Sequence, residues 1–183
     1  MPYVSTGSNL LNTNQLFYQL NLKEGMRVGD LGCGGHGQFP IRAARLVGNG
    51  GVVYAVDILK SVLAEISKKA RLEGISNIKP IWTNLELVGA AAIPPASLDT
   101  ALLINVLFQT KDRASIFREA KRLLKPGGTL LVVDWKLTAT PFGPKPWQRI
   151  APETIQAFAA AAGLRLREAF DAGRYHYGMI FFR

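Results

Sequence analysis

The stretch VGDLGCGGHG at residues 28–37 decides how this 183-residue chain folds. A short strand, 26–31 (MRVGDL), enters a loop in which Gly32, Gly34 and Gly37 set the spacing G-x-G-x-x-G. A helix over 38–47 (QFPIRAARLV) follows, with Pro40 accommodated in its first turn. Strand, glycine turn and helix in that order open a βαβ unit. Residues 52–57 (VVYAVD) repeat the strand after the Gly50-Gly51 turn, and 59–73 repeat the helix, which stops at Gly74. A third strand is predicted over 78–82 (IKPIW), best placed at a sheet edge because Pro80 cannot donate to a ladder. Residues 98–104 (LDTALLI) are apolar enough for a strand covered on both faces, a helix follows over 112–124, and 129–134 (TLLVVD) form a fifth strand after a KPGG turn at 125–128. Five strands alternating with helices predict an α/β fold.

The flanks complete one domain over 1–183. Residues 10–20 carry apolar side chains at helical spacing, so 1–22 reads as an N-terminal lid or helix. Residues 85–97 form a loop, and 138–149 (TATPFGPKPWQR), broken by Pro141, Gly143, Pro144 and Pro146, form a surface crossover. Pro152 and Glu153 start a helix that ends near Ala162. Strands at 164–170 and 175–182, joined by Asp171-Ala172-Gly173, then make an antiparallel hairpin.

Composition excludes several classes. At 48% hydrophobic and 19% charged residues the chain folds rather than staying disordered. No apolar run reaches the roughly 18–20 residues of a bilayer span, and the start lacks the pattern of a secretory leader, so a cytoplasmic location is expected. Cys33 is the sole cysteine, which forbids an internal disulfide and a cysteine metal cluster, and no metal is expected. Lys and Arg number 22 against 13 Asp and Glu, a net charge of +9 that makes RNA a possible partner, yet no basic run interleaved with aromatics supports it.

The chemistry centres on the glycine loop. Small residues there let a ligand approach the backbone, and the N–H groups at the following helix start favour an anionic group. Asp57 ends the second strand twenty residues after Gly37, where a carboxylate accepts from both hydroxyls of a ribose. Together these features fit a dinucleotide or another adenosine cofactor. Asp30, two residues before Gly32, opposes a pyrophosphate and suits an ammonium or sulfonium cation.

At this point the sequence resembles the class I S-adenosylmethionine-dependent methyltransferases, closest to the small type 11, UbiE-like branch. The residues that carry the likeness are VGDLGCGGHG, VVYAVDI at 52–58 and LKPGGTLLVVDW at 124–135. The resemblance implies a doubly wound, Rossmann-like methyltransferase fold with a seven-stranded, mostly parallel sheet ending in an antiparallel hairpin. It implies S-adenosylmethionine as cofactor and S-adenosylhomocysteine as product. Asp30, Gly32, Cys33, Gly34 and Gly35 would surround the methionine end, Asp57 and Ile58 would hold ribose and adenine, and Asn84 and Leu85 would follow the third strand. Asn84 departs from an Asp often found there but keeps an acceptor oxygen. Asn105 would lie near the transferred methyl, and Gly35-His36-Gly37 lengthens the usual turn by one residue.

Candidates for catalysis are Asn105, Asp134 and His176, the last two near strand ends that border the ligand crevice. Tyr175 and Tyr177 flank His176, with packing as their ordinary role. Trp135, Phe142 and Trp147 either pin the crossover or line an acceptor pocket; pinning is the favoured reading. Tyr3, Phe17 and Tyr18 belong to a lid or to helix packing, and Lys68, Lys69 and Arg71 to a solvated helix face. Cys33 has no partner at ligand spacing, which argues against the cysteine-dependent arsenite methyltransferases. A small-molecule acceptor under the N-terminal segment and the 136–150 loop is the leading expectation. An RNA or protein methyltransferase, an NAD-dependent oxidoreductase and a non-catalytic cofactor-binding module are the alternatives.

Overall fold

A computed structural model describes residues 10–34, 37–138 and 140–183. Seven strands, β1 (Arg27–Leu31), β2 (Val52–Asp57), β3 (Ile78–Trp82), β4 (Leu98–Ile104), β5 (Leu124–Trp135), β6 (Arg165–Asp171) and β7 (His176–Phe182), form one sheet in the order β3-β2-β1-β4-β5-β7-β6. The first five run parallel, and β7 lies antiparallel between β5 and β6. Pro80 does sit on an edge strand, since among the described residues β3 pairs with β2 alone.

Helices α1 (Thr13–Leu20), α2 (Gln38–Val47) and α3 (Lys60–Leu72) cover one face, and α4 (Arg113–Leu123) and α5 (Pro152–Ala161) the other. Alternation along each strand divides the core. Val28, Leu102, Val133 and Ile180 pack with Phe17 and Phe39 of α1 and α2. Leu103, Val132, Met179 and Phe181 pack with Phe117 of α4 and Ile155 of α5. Helix α1 is closed by Asn12, whose side chain accepts from the amides of Asn14 and Gln15.

Two local features differ from the sequence reading. The KPGG segment belongs to β5: Leu124 pairs with Leu98 before the register shifts between Leu98 and Thr100, so the glycines form an irregularity within a strand rather than a separate turn. A short 3-10 turn at Leu107–Gln109 also follows β4. The strand order reverses between β1 and β4, which opens a crevice at their carboxyl ends.

Candidate functional site

The crevice begins where β1 stops. Gly32 takes a φ of +86°, and a Cβ built there would lie 2.6 Å from a Val106 methyl, so backbone and neighbour both require glycine. The amides of Gly32 and Cys33 donate to the Val56 carbonyl at 2.8 and 3.0 Å, which fastens the loop to β2. Gly34, at φ +64°, donates its amide to Asp57 Oδ2 at 3.1 Å, and the Leu59 amide donates to Oδ1 at 2.9 Å. Asp57 therefore ties the glycine loop to the start of α3 while each carboxylate oxygen keeps a lone pair for a further donor.

Asp30 is 1% exposed, and its Oδ2 has no hydrogen-bond partner among the described residues. Burial, reinforced by the charge of Asp57, pushes its carboxyl up to about 8. Asp30 thus keeps its proton at neutral pH, and a cation placed beside it would let that proton go. Cys33 is buried beside them, and burial with the charges of Asp30 and Asp57 holds its thiol well above the usual range, so it stays neutral. Gly35 and His36 lie outside the described residues, as does Tyr3.

Asn105 follows β4 and precedes Val106, whose side chain packs against Gly32. It adopts φ +56°, a left-handed conformation that few residues other than glycine take, and its amide donates to the Val133 carbonyl at 2.8 Å. Its carboxamide is fully buried, with neither Oδ1 nor Nδ2 partnered among the described residues. On the opposite flank Ile58 is 56% exposed and Leu85 is buried in the core. Asn84 Oδ1 accepts from the Glu86 amide at 2.9 Å, so part of its acceptor capacity closes a turn. Trp82 was not singled out by sequence. Its indole N–H donates to the Ile58 carbonyl at 2.9 Å and Lys60 lies 4.3 Å over its ring, so it braces the residue after Asp57. The signal available was its place at the end of β3, in register with Asp57.

The sheet separates Asp134 from His176. Asp134 pairs in register with Tyr177, and Trp135 with His176. Alternation puts Asp134 and Tyr177 on the α4/α5 face, and Trp135 and His176 on the other. Asp134 is fully buried, and burial pushes its carboxyl up to about 7 against the opposing pull of the Trp135, Phe108 and Leu107 amides and of Arg113. Tyr177 donates its hydroxyl to the Ile150 carbonyl at 2.9 Å and belongs to the core. The His176 ring lies 4.3 Å from that of Trp135; burial, then the charges of Lys136 and Arg149, lower the imidazole to about 4, so it is neutral. Tyr175 precedes β7 and is half-buried against Phe142. Phe17 packs edge-on to Phe39, whereas Tyr18 points to solvent at 87% exposure.

These placements share one property. Of nine buried side-chain polar atoms without a partner among the described residues, six belong to Asp30, Asn105, Asp134, Trp135 and His176. All five residues stand at the same end of the sheet, because β7 runs antiparallel and begins where β5 ends. Buried polar groups are ordinarily paired, at a penalty of about 1–3 kcal/mol when they are not, so their concentration at one end makes it the candidate binding site. An adenosine-bearing cation fits the donor set: hydroxyls on Asp57, the exposed apolar Ile58 beside it, and a positive charge near Asp30. No cluster of three or more His, Cys, Asp or Glu arranged to hold a metal occurs among the described residues.

Comparison with known proteins agrees with this geometry. Residues 22–160 match the family described as methyltransferase domain. The chain is 32% identical over 159 residues to the ubiquinone/menaquinone biosynthesis C-methyltransferase UbiE of Pectobacterium carotovorum subsp. carotovorum (strain PC1), covering 85% of this chain and 59% of that protein. It therefore spans less than two thirds of that relative's length. A crystal structure of an S-adenosylmethionine-dependent methyltransferase from Aquifex aeolicus shares the fold with a TM-score of 0.87 and 23% identity, over 97% of this chain and 93% of that one. A putative type 11 methyltransferase from Sulfolobus solfataricus does so with a TM-score of 0.77 and 23% identity, over 95% and 93%. The dinucleotide-dependent alternative is thereby set aside: the chain belongs to the methyltransferase domain family, among the class I enzymes that use S-adenosylmethionine.

Proposed function

We propose that this chain transfers a methyl group to a small-molecule acceptor and accelerates the reaction chiefly by positioning. The observation that carries the reading is the buried, unpartnered Asp30 carboxyl beside the glycine loop and Asp57. S-adenosylmethionine, when bound, supplies a methyl group activated by a sulfonium. Asp57 would accept from the ribose hydroxyls, while its hold on Gly34 and Leu59 keeps the loop in place. Asp30, ionised on binding, offsets the ligand's positive charge, and glycine at 32 and 34 leaves room for close approach. Asn105 offers an unpartnered carbonyl and amide at the end of β4, suited to orienting the reacting groups.

In-line attack needs two partners held together with water excluded, and little covalent chemistry from the protein. Where the acceptor must lose a proton, His176 is the group able to take it, being neutral with an unpartnered Nε2 among the described residues. Asp134, on the other face, steadies the turn after β4. The relative UbiE, a C-methyltransferase of ubiquinone and menaquinone biosynthesis, supports a small-molecule acceptor. The test is transfer of labelled methyl groups from S-adenosylmethionine to a panel of small phenols, enols and amines, with RNA and protein in parallel. Label in a small molecule that falls away in Asp30→Asn supports the reading; label confined to RNA or protein refutes it.

A further inference from the structure

We infer that the crossover between β5 and α5 docks this protein on an anionic phospholipid surface. The segment is held in shape from beneath. Arg149, 7% exposed, donates to the carbonyls of Pro144 at 3.0 Å, Lys136 at 3.2 Å and Thr138, and to Thr140 Oγ1 at 2.7 Å. Its guanidinium also lies 5.6 Å over the buried Trp135 ring, against which Phe142 packs edge-on at 6.3 Å. Gly143, at φ +81°, passes so near that ring that a Cβ would come within 2.5 Å of it. Trp135 and Phe142 thus do the pinning.

The same crossover turns large apolar groups outward. Trp147 is 76% exposed, Leu137 56% and Phe142 41%. A loop fastened by Arg149 and pinned by Trp135 and Phe142 has no need of Trp147 or Leu137 for its own stability, and apolar groups presented from a fixed base serve another surface. Lys145 lies 4.9 Å over the Trp147 ring, and Arg174 lies 5.3 Å over Tyr175, which itself meets Phe142 at 4.9 Å. Tryptophan and tyrosine paired with lysine and arginine suit the headgroup depth of a bilayer, where rings enter the apolar boundary and cations reach phosphate.

Charge favours the anionic lipid. The chain carries +9, and beside the crossover Lys145 and Arg174 are exposed cations, whereas Lys136 is paired with Asp171 at 2.8 Å and Arg149 is buried in the clamp. RNA would call on the same charges, but a base needs an open ring face, and Lys145 and Arg174 each lie over one; Leu137 has no part in base stacking. No helix among the described residues is long and apolar enough to cross a membrane, so the contact is peripheral. The docking itself stands apart from the proposed methyl transfer. Its consequence rests on that reading: the crossover leaves from Trp135 and Tyr175 adjoins His176, so the bilayer would border the acceptor end and deliver a lipid-borne acceptor.

The experiment is cosedimentation of the full chain with vesicles of phosphatidylcholine alone or mixed equally with phosphatidylglycerol, for wild type, Trp147→Ser and Leu137→Ser. The wild type binds the mixed vesicles in preference, its tryptophan emission shifts to the blue, and each variant partitions about tenfold more weakly, the effect of withholding one large apolar side chain. Both substituted residues are exposed, and unchanged melting and S-adenosylhomocysteine affinity certify the fold. Absence of vesicle binding at low salt, equal partitioning of variants and wild type, or binding of RNA in place of vesicles overturns the inference. A wild type that binds vesicles but has no affinity for S-adenosylhomocysteine would instead count against the methyl-transfer reading.

Discussion

Replacing Asp30 by asparagine separates what this carboxyl does for a ligand from what it does to the fold. Its folded value is about 8, against 3.8 for the ordinary carboxyl. At pH 7 the unfolded chain has released this proton and the folded chain has kept it, so stability falls as pH rises between these values and levels off above about 8. Each pH unit in that window removes about 1.4 kcal/mol, and by pH 7 the penalty is of order 4 kcal/mol. Asparagine keeps the shape and cannot ionise, but brings an extra buried N–H to satisfy, at about 1–3 kcal/mol. The net gain is about 2 kcal/mol, which raises the melting temperature of a domain this size by roughly 4–8 °C at pH 7. Melts of unliganded wild type and Asp30→Asn across acid to alkaline pH read this directly, and the gain should shrink as pH falls and turn into a loss of about 1–3 kcal/mol, the cost of the added N–H, as pH approaches the ordinary value of 3.8. S-adenosylmethionine affinity should fall in the same variant by roughly tenfold to a hundredfold, the worth of a charge-assisted contact. A variant less stable than wild type at pH 7, or a gain independent of pH, would refute the assignment of Asp30 as a buried, protonated carboxyl awaiting a cation.

Further outcomes follow from the same geometry. With its imidazole lowered to about 4 against an ordinary 6.5, His176 makes stability rise with pH between these values and flat above, a loss of order 3 kcal/mol on full acidification; His176→Phe should abolish that slope in melts and lower turnover about a hundredfold. Asn105→Gly keeps the left-handed backbone and removes the unpartnered carboxamide, so folding stability should hold or rise within about 1 kcal/mol while turnover falls; a clear loss of stability would show that the carboxamide is partnered. Gly143→Ala meets the Trp135 ring at 2.5 Å and must adopt φ +81°, so denaturant unfolding should report a loss of about 2–3 kcal/mol.

The parts of the molecule legible in sequence are those set by short-range pattern. Gly32, Gly34 and Asp57 lie within one strand-loop-helix-strand unit, so spacing alone brings them together, and Pro80 marked its own edge. The relation of Asp134 to His176 was not legible. It depends on the register of β5 against β7, which pairs Trp135 with His176 across a connection containing α5 and β6, and a shift of one residue would exchange the faces of both. The clamp of Arg149 was hidden for a similar reason: its acceptors are mostly backbone carbonyls of a crossover without periodicity, and backbone acceptors leave no mark in sequence. Trp82 passed as one more strand residue because its brace on Ile58 joins side chain to backbone across neighbouring strands. The KPGG segment has turn chemistry, yet pairing of Leu124 with Leu98 draws it into β5, a case of tertiary contact overriding local preference.

The central claim is that the crevice between β1 and β4 takes an adenosine cofactor bearing a positive charge rather than a dinucleotide. Calorimetric titration of the full chain with S-adenosylhomocysteine, and with NAD in parallel, on wild type and Asp57→Ala, tests it most directly. Micromolar binding of S-adenosylhomocysteine alone, about −8 kcal/mol, abolished in Asp57→Ala, is the predicted result. Binding of NAD in its place, or S-adenosylhomocysteine affinity indifferent to Asp57, would contradict the account.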